Sequence, residues 1–205
     1  VSFVTVEMAE NISQQRTDAI LSGASIDMIA SNTEIQQDVL KQRMKLSNRG
    51  ASYVVKYFPR GTLSIEALAT YYDRYAMDYG YYPDVAIVDW LGCLKLSGDL
   101  DKKHEALGEA ADGLINLAVA NEMSMITSQQ TNRSAVGSDT FGYNSVSASF
   151  ESLFGMDMVL SLGAYDKAKD AGKRTLGLLK NRFGPDSVNV PLLGNRPGEV
   201  MNFRF

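Results

Sequence analysis

The sequence predicts an α/β protein, with a mostly parallel sheet covered by helices and an antiparallel hairpin extension at the C-terminal end. Three observations carry that prediction. Short β-rich runs alternate with helical stretches from Val1 to about Leu162, the pattern of strands joined by helical crossovers. The run Val85-Ala86-Ile87-Val88 is apolar or small at every position, as a strand covered on both faces must be, and it ends on Asp89. From Lys173 onward the strand-like runs are separated by tight turns instead of helices.

The elements follow in order. Val1 to Val6 reads as a strand ending on Glu7, and Asn11 with Gln14 three residues on reads as a capping box opening a helix. Thr33 with Gln36 repeats that signature ahead of a polar surface helix, stopped at Asn48-Arg49-Gly50. Ser52 to Phe58 alternates β-formers, and Pro59 and Gly61 break the run. Ser64 then caps a helix through Tyr71, Tyr72, Tyr75 and Tyr79 that ends near Gly80. The Asp89 strand is followed by a loop through Gly98, a helix from about Lys102 to Asn121, and a strand from Ser124 to Ser128. Thr131 to Ser145 is rich in Ser, Gly and Asn and is expected to be a mobile loop, and loops of that length usually have a function. A short helix and a strand from Met158 to Leu162 come next. Strands over Arg174 to Asn181 and Val188 to Leu193, with a closing strand to Phe205, complete the chain.

Composition narrows the function. With 24 acidic and 20 basic residues among 205 the formal net charge is -4, so no overall positive field exists to grip a phosphate backbone. Any nucleic-acid contact must be local, or assembled from several copies. Cys93 is the single cysteine, which excludes an internal disulfide and fits a reducing compartment; it reads as a small buried hydrophobe. No apolar run reaches the 18 or so residues of a membrane span, and the expectation is a soluble, cytoplasmic protein. One domain over 1–205 is expected.

Several side chains carry chemistry. Asp89 should emerge at the carboxyl end of its strand, where open α/β sheets place their ligands, and one carboxylate there suffices to hold Mg²⁺ through water. The plain alternative is a strand-end Asp capping a loop. Glu7 ends another apolar strand, so a second carboxylate reaches the same sheet end if the strands are neighbours, one serving a metal and the other a water molecule. Otherwise Glu7 opens the next helix and favours its dipole. Lys180 and Arg182, two apart in a strand, should face the same way as a cation pair or simply face water. Gln130 and Arg133 stand where a strand passes into the mobile loop, and Gln130 could bond a phosphate oxygen or the attacking water. His104 stands alone among lysines and is set aside as a ligand. The tyrosine cluster has helical spacing and reads as core or interface more readily than as a base-stacking platform. No GxxxxGK[ST] phosphate-binding loop occurs in the 205 residues, and Gly172-Lys173 is a decoy, with Lys at 167 and Arg at 174.

Val4-Thr5-Val6-Glu7-Met8-Ala9 with Arg16, Val54-Val55-Lys56-Tyr57-Phe58-Pro59, Ile87-Val88-Asp89-Trp90-Leu91-Gly92, Thr127-Ser128-Gln129-Gln130-Thr131-Asn132-Arg133 and Leu179-Lys180-Asn181-Arg182-Phe183-Gly184 stand in this order. Together they resemble the RecA-like motor domain of the DnaB-type replicative helicases, in particular the branch found in T-even-like phages, where Tyr is more usual at position 90. The resemblance covers essentially the whole chain, and its weight lies in the order of motifs that are each short. It implies a hexameric ring that binds ATP and Mg²⁺ between subunits and carries single-stranded DNA through its centre. By the same resemblance Glu7 would activate water, Asp89 would hold the metal, and Arg16 and Gln130 would sense the γ-phosphate. Lys180 and Arg182 would act on the neighbouring subunit's ATP, and the 131–143 loop with Arg133 would touch DNA. The departure is the missing phosphate loop. It leads to the expectation of a motor domain incomplete at its N-terminus, weak in ATP binding by itself, with the loop supplied by a longer reading frame or by a separate fragment. Two other readings are a non-enzymatic assembly module or relic of the same class, and a strand-exchange or clock-type ATPase.

Overall fold

The computed structural model of the protein describes residues 1–96, 103–131, 138, 140, 142, 145, 151–163 and 173–193. Its elements in chain order are β1 (Ser2–Thr5), α1 (Glu10–Ser22), α2 (Ile26–Ser31), α3 (Thr33–Ser47), β2 (Val54–Tyr57), α4 (Ile65–Tyr79) and β3 (Val85–Asp89). A single 3₁₀ turn (Leu91–Cys93) follows, then α5 (Lys103–Ala120), β4 (Ser124–Thr127), α6 (Glu151–Phe154), β5 (Met158–Gly163), β6 (Lys173–Asn181) and β7 (Val188–Leu193). Most of the expected loop from Thr131 to Ser145, including Arg133, lies outside the described residues, as do the loop at Gly98, the decoy Gly172 and the closing strand to Phe205.

Contacts divide the chain into two compact units. The first comprises Val1–Glu10, Tyr53–Asn132 and Val146–Met156, and the second Asn11–Ser52, Arg133–Ser145 and Asp157–Phe205. The sheet of the first unit has the order β2-β1-β3-β4, all neighbours parallel. Thr5 stands opposite Asp89, and Val88 opposite Thr127. A parallel sheet needs both faces covered. Val85 and Ile87 on one face are only partly buried, while on the other face Val4, Ala86 and Val88 are almost wholly buried in one cluster with Leu68 and Tyr72 of α4 and Leu107, Ala111 and Leu114 of α5. Each large apolar side chain so buried contributes roughly 1.5–3 kcal/mol.

Helix α4 forms as its sequence predicts. The Ser64 hydroxyl accepts the Ala67 N–H at 3.2 Å, and Gly80 closes the helix at φ +81°, a left-handed conformation that a residue without Cβ adopts at no steric cost. Tyr72 and Tyr75 are buried, and the rings of Tyr71, Tyr72, Tyr75, Tyr79 and Tyr81 stack in tilted or edge-on pairs, which bears out the core reading of the cluster.

In the second unit, α3 is capped by Asn32, whose Oδ1 accepts from Glu34 and Ile35, so Thr33 is the first helical residue and not the cap. An asparagine outcompetes threonine as a cap because its carbonyl spans the first turn more easily. Helix α1 likewise starts at Glu10, which leaves Asn11 inside it, and the short α2 with its Ser25 cap has no counterpart in the expected elements. The second sheet has the order β5-β6-β7 and is antiparallel throughout. The β6–β7 hairpin is as expected, whereas β5, expected among the crossover-joined strands, pairs with β6 instead.

Candidate functional site

Order β2-β1-β3-β4 means that the chain leaves β1 toward one side of the sheet and later returns to place β3 on the other. Crossovers therefore diverge between β1 and β3, and the crevice outside their carboxyl ends is where an open α/β sheet receives a ligand. Both carboxylates singled out from the sequence issue from these two adjacent strands, which satisfies the condition that the strands be neighbours.

Asp89 closes β3 and is half-buried. The Ser128 hydroxyl, just past β4, donates to its Oδ1 at 3.2 Å. Glu7 lies two residues beyond β1, in a bend and exposed, rather than at the strand's last position. Thr5 makes that bend. Its hydroxyl is buried with the residue and accepts the N–H groups of Glu7 and Met8 at 3.3 and 3.2 Å, turning the chain out of the sheet. The Val6 N–H meanwhile donates to the Asp89 carbonyl at 3.3 Å, so the two strand ends are tied together.

The Glu7 carboxylate is itself held. Trp90 Nε1 donates to its Oε1 at 3.1 Å, and the Cys93 thiol approaches the same oxygen at 3.6 Å. Burial pushes the Cys93 thiol up, and the Glu7 and Asp89 carboxylates add to that shift while Arg60 opposes it. A protonated thiol is the form that can donate to a carboxylate. Cys93 is buried as expected, yet it also borders the site. Sequence reasoning missed Trp90, Cys93, Thr5 and Ser128 as neighbours of the carboxylates. The readable signal was the in-register pairing of Thr5 with Asp89, which appears only once the strand order is known.

Gln130 is exposed just past β4. Its neighbour Gln129 has a side-chain oxygen buried without a hydrogen-bond partner among the described residues. Arg16 is exposed on α1 in the second unit. Lys180, half-buried in β6, stands opposite Val159. Arg182 departs from its expected place: β6 ends at Asn181, so Arg182 belongs to the following turn and does not share a strand face with Lys180. The Asn181 side chain explains the ending, since its Oδ1 accepts the Phe183 N–H and its amide donates to the Pro185 carbonyl, closing the turn. Arg182 Nη1 pairs with Asp157 Oδ1 at 2.7 Å while its backbone N–H donates to the Asp157 carbonyl at 2.8 Å, and its side chain is about half exposed. Among the described residues no group of three or more His, Cys, Asp or Glu gathers as a metal cage. The His104 side chain lies outside what is described.

No protein-family model matches the chain. It is 24% identical over 206 residues to a DnaB-like replicative helicase of Enterobacteria phage T4, an alignment that covers 97% of this chain and 43% of the relative. Its structure superposes on a solved ATPase domain with a TM-score of 0.79 at 15% identity, covering 98% of this chain and 72% of that one. A DnaB-like replicative helicase, solved in a study of its interactions with primase, gives a TM-score of 0.77 at 15% identity over 98% of this chain and 49% of that one. The parallel sheet with its flanking helices and the separate antiparallel sheet thus have a RecA-like fold. Within that class, the chain is a relative of the DnaB-type replicative helicases. It spans less than half the length of the curated phage relative.

Proposed function

We propose that this chain is part of the motor domain of an ATP-driven replicative DNA helicase, which hydrolyses ATP at subunit interfaces of a hexameric ring and translocates on single-stranded DNA in the cytoplasm. One observation carries the reading: Glu7 and Asp89 leave adjacent parallel strands at the point where the crossovers diverge.

In this reading Glu7 accepts the proton of the attacking water, a role that typically contributes on the order of 10²- to 10⁴-fold. Asp89 would hold Mg²⁺ through water. The residues fit that task, because Ser128 occupies one carboxylate oxygen and magnesium needs only one or two protein carboxylates beside the substrate phosphates. Bound magnesium supplies Lewis-acid stabilisation of phosphate charge. Arg16 and Gln130 would sense the γ-phosphate, and Arg133 would contact DNA. Lys180 and Arg182 would serve the neighbouring subunit's ATP, with Arg182 exchanging its Asp157 partner for a phosphate oxygen. The phosphate-binding loop is not among these 205 residues, so in this reading it is contributed from outside them, by a longer chain or by a separate fragment.

The test is Glu7→Gln in the motor that carries its phosphate loop. Nucleotide affinity should stay within a few-fold while turnover falls by at least about 10²-fold. Turnover that survives the substitution would refute the role of Glu7 as the base.

A further inference from the structure

We propose that Trp90, folded back over Gly92, is the positioning residue for Glu7, its indole N–H setting where the carboxylate points. The inference rests on the reading of Glu7 given above and adds to it. Glu7 is exposed and lies beyond the end of β1, so the sheet alone does not fix its rotamer. A freely rotating carboxylate is a poor base, because productive geometry is lost over about an ångström. Among the described residues Trp90 Nε1, from the residue that follows Asp89, donates to the Glu7 carboxylate at 3.1 Å.

The indole has two neighbours. Its ring packs against the core of the first unit. The ring also lies so close to Gly92 that a Cβ built there would overlap it, with atom Cη2 at 2.6 Å and Cε3 at 2.8 Å. A glycine at 92 is therefore required by this ring position and not by its own backbone angle, and any larger residue must push the indole away. Cys93, in the same turn, adds its thiol to the same carboxylate oxygen. Ser128 repeats the arrangement one strand further on, since it follows β4 and donates to Asp89 of β3. In each case the residue just past one strand orients the carboxylate of the strand beside it. A donor at position 90 thereby couples the metal-side strand to the water-side carboxylate.

Trp90 is the chain's only tryptophan, which gives a test that does not need turnover. The ¹⁵N-labelled full chain should show one indole N–H resonance. Glu7→Ala should move it upfield, since a hydrogen bond to a carboxylate is lost, and Gly92→Ala, which keeps both partners, should also move it. An indole resonance that stays in place in Glu7→Ala would overturn the proposal.

In the motor that carries its phosphate loop, Trp90→Phe should lower kcat about ten- to hundredfold with little change in nucleotide affinity, and Trp90→Tyr should recover part of that loss. Gly92→Ala should show the same split between kcat and affinity. If Glu7→Gln abolishes turnover and Trp90→Phe leaves it unchanged, positioning fails while the base stands. If Glu7→Gln itself leaves turnover unchanged, the base fails, and the indole resonance still reports whether the contact exists.

Discussion

The two sheets use the apolar residues of their strands to different ends. In the parallel sheet, Val4 and Val88 are 0% and 1% exposed, and the strand ends deliver carboxylates to one crevice. In the antiparallel sheet, Met158, Leu160 and Leu162 alternate along β5 yet are 54%, 56% and 47% exposed, and the candidate cations sit at or past the end of β6. The lesson is that strand patterning reports a face able to be buried, whereas actual burial depends on what packs on it. Site residues in the first sheet are tied to neighbouring strands, while Arg182 in the second sits in a turn and meets Asp157 through both backbone and side chain.

This contrast can be broken at several points. If Arg182 acts in a neighbouring subunit's site, Arg182→Ala in the assembled motor should cost about 10³- to 10⁵-fold in turnover. Mixed with wild-type subunits, it should lower activity more than in proportion to its share. Its effect on stability should be only about 0.2–1 kcal/mol, because the Asp157 pair is half exposed. Leu68→Ala or Leu114→Ala in the parallel unit should lose about 2–5 kcal/mol in chemical denaturation, against at most about 0.5 kcal/mol for Leu160→Ala. Equal losses would show that β5 has a cover.

A smaller effect concerns alkaline pH. Burial pushes the Tyr72 hydroxyl well above the ordinary tyrosine range. The unfolded chain then releases this proton at a pH where the folded chain keeps it, so the folded state binds more protons. Stability should therefore be full below about pH 10 and fall above it by about 1.4 kcal/mol per pH unit for this group. Tyr72→Phe should flatten that slope. Smallest of all, Ser64→Ala should cost about 1 kcal/mol by removing the α4 cap.

Much of this fold was legible in the residues. The Val85-Ala86-Ile87-Val88 run announced a strand, of which the structure buries the Ala86 and Val88 face fully and the other only in part, and Ser64 with Gly80 bracketed α4 because capping chemistry is local. Helix α2 was not legible, since six residues with no buried side chain leave no periodic signal. Nor was the end of β6, where Asn181 bonds its own turn and takes Arg182 out of the strand. The carboxylates of the candidate site were readable as strand-end acids. Their donors were not, because Trp90, Cys93 and Ser128 meet them only across strands, at sequence separations of 83, 86 and 39 residues.

The central claim is that Glu7 and Asp89 flank one metal-bound triphosphate. It is tested most directly by labelling Trp90 with fluorotryptophan in the motor that carries its phosphate loop, and adding ATP with Mn²⁺ in place of Mg²⁺. The account predicts that the single fluorine resonance broadens on binding, and that Asp89→Asn restores it. A resonance that stays sharp at saturating Mn²⁺ and ATP would contradict the account, because the metal would then lie far from the strand ends that carry the two carboxylates.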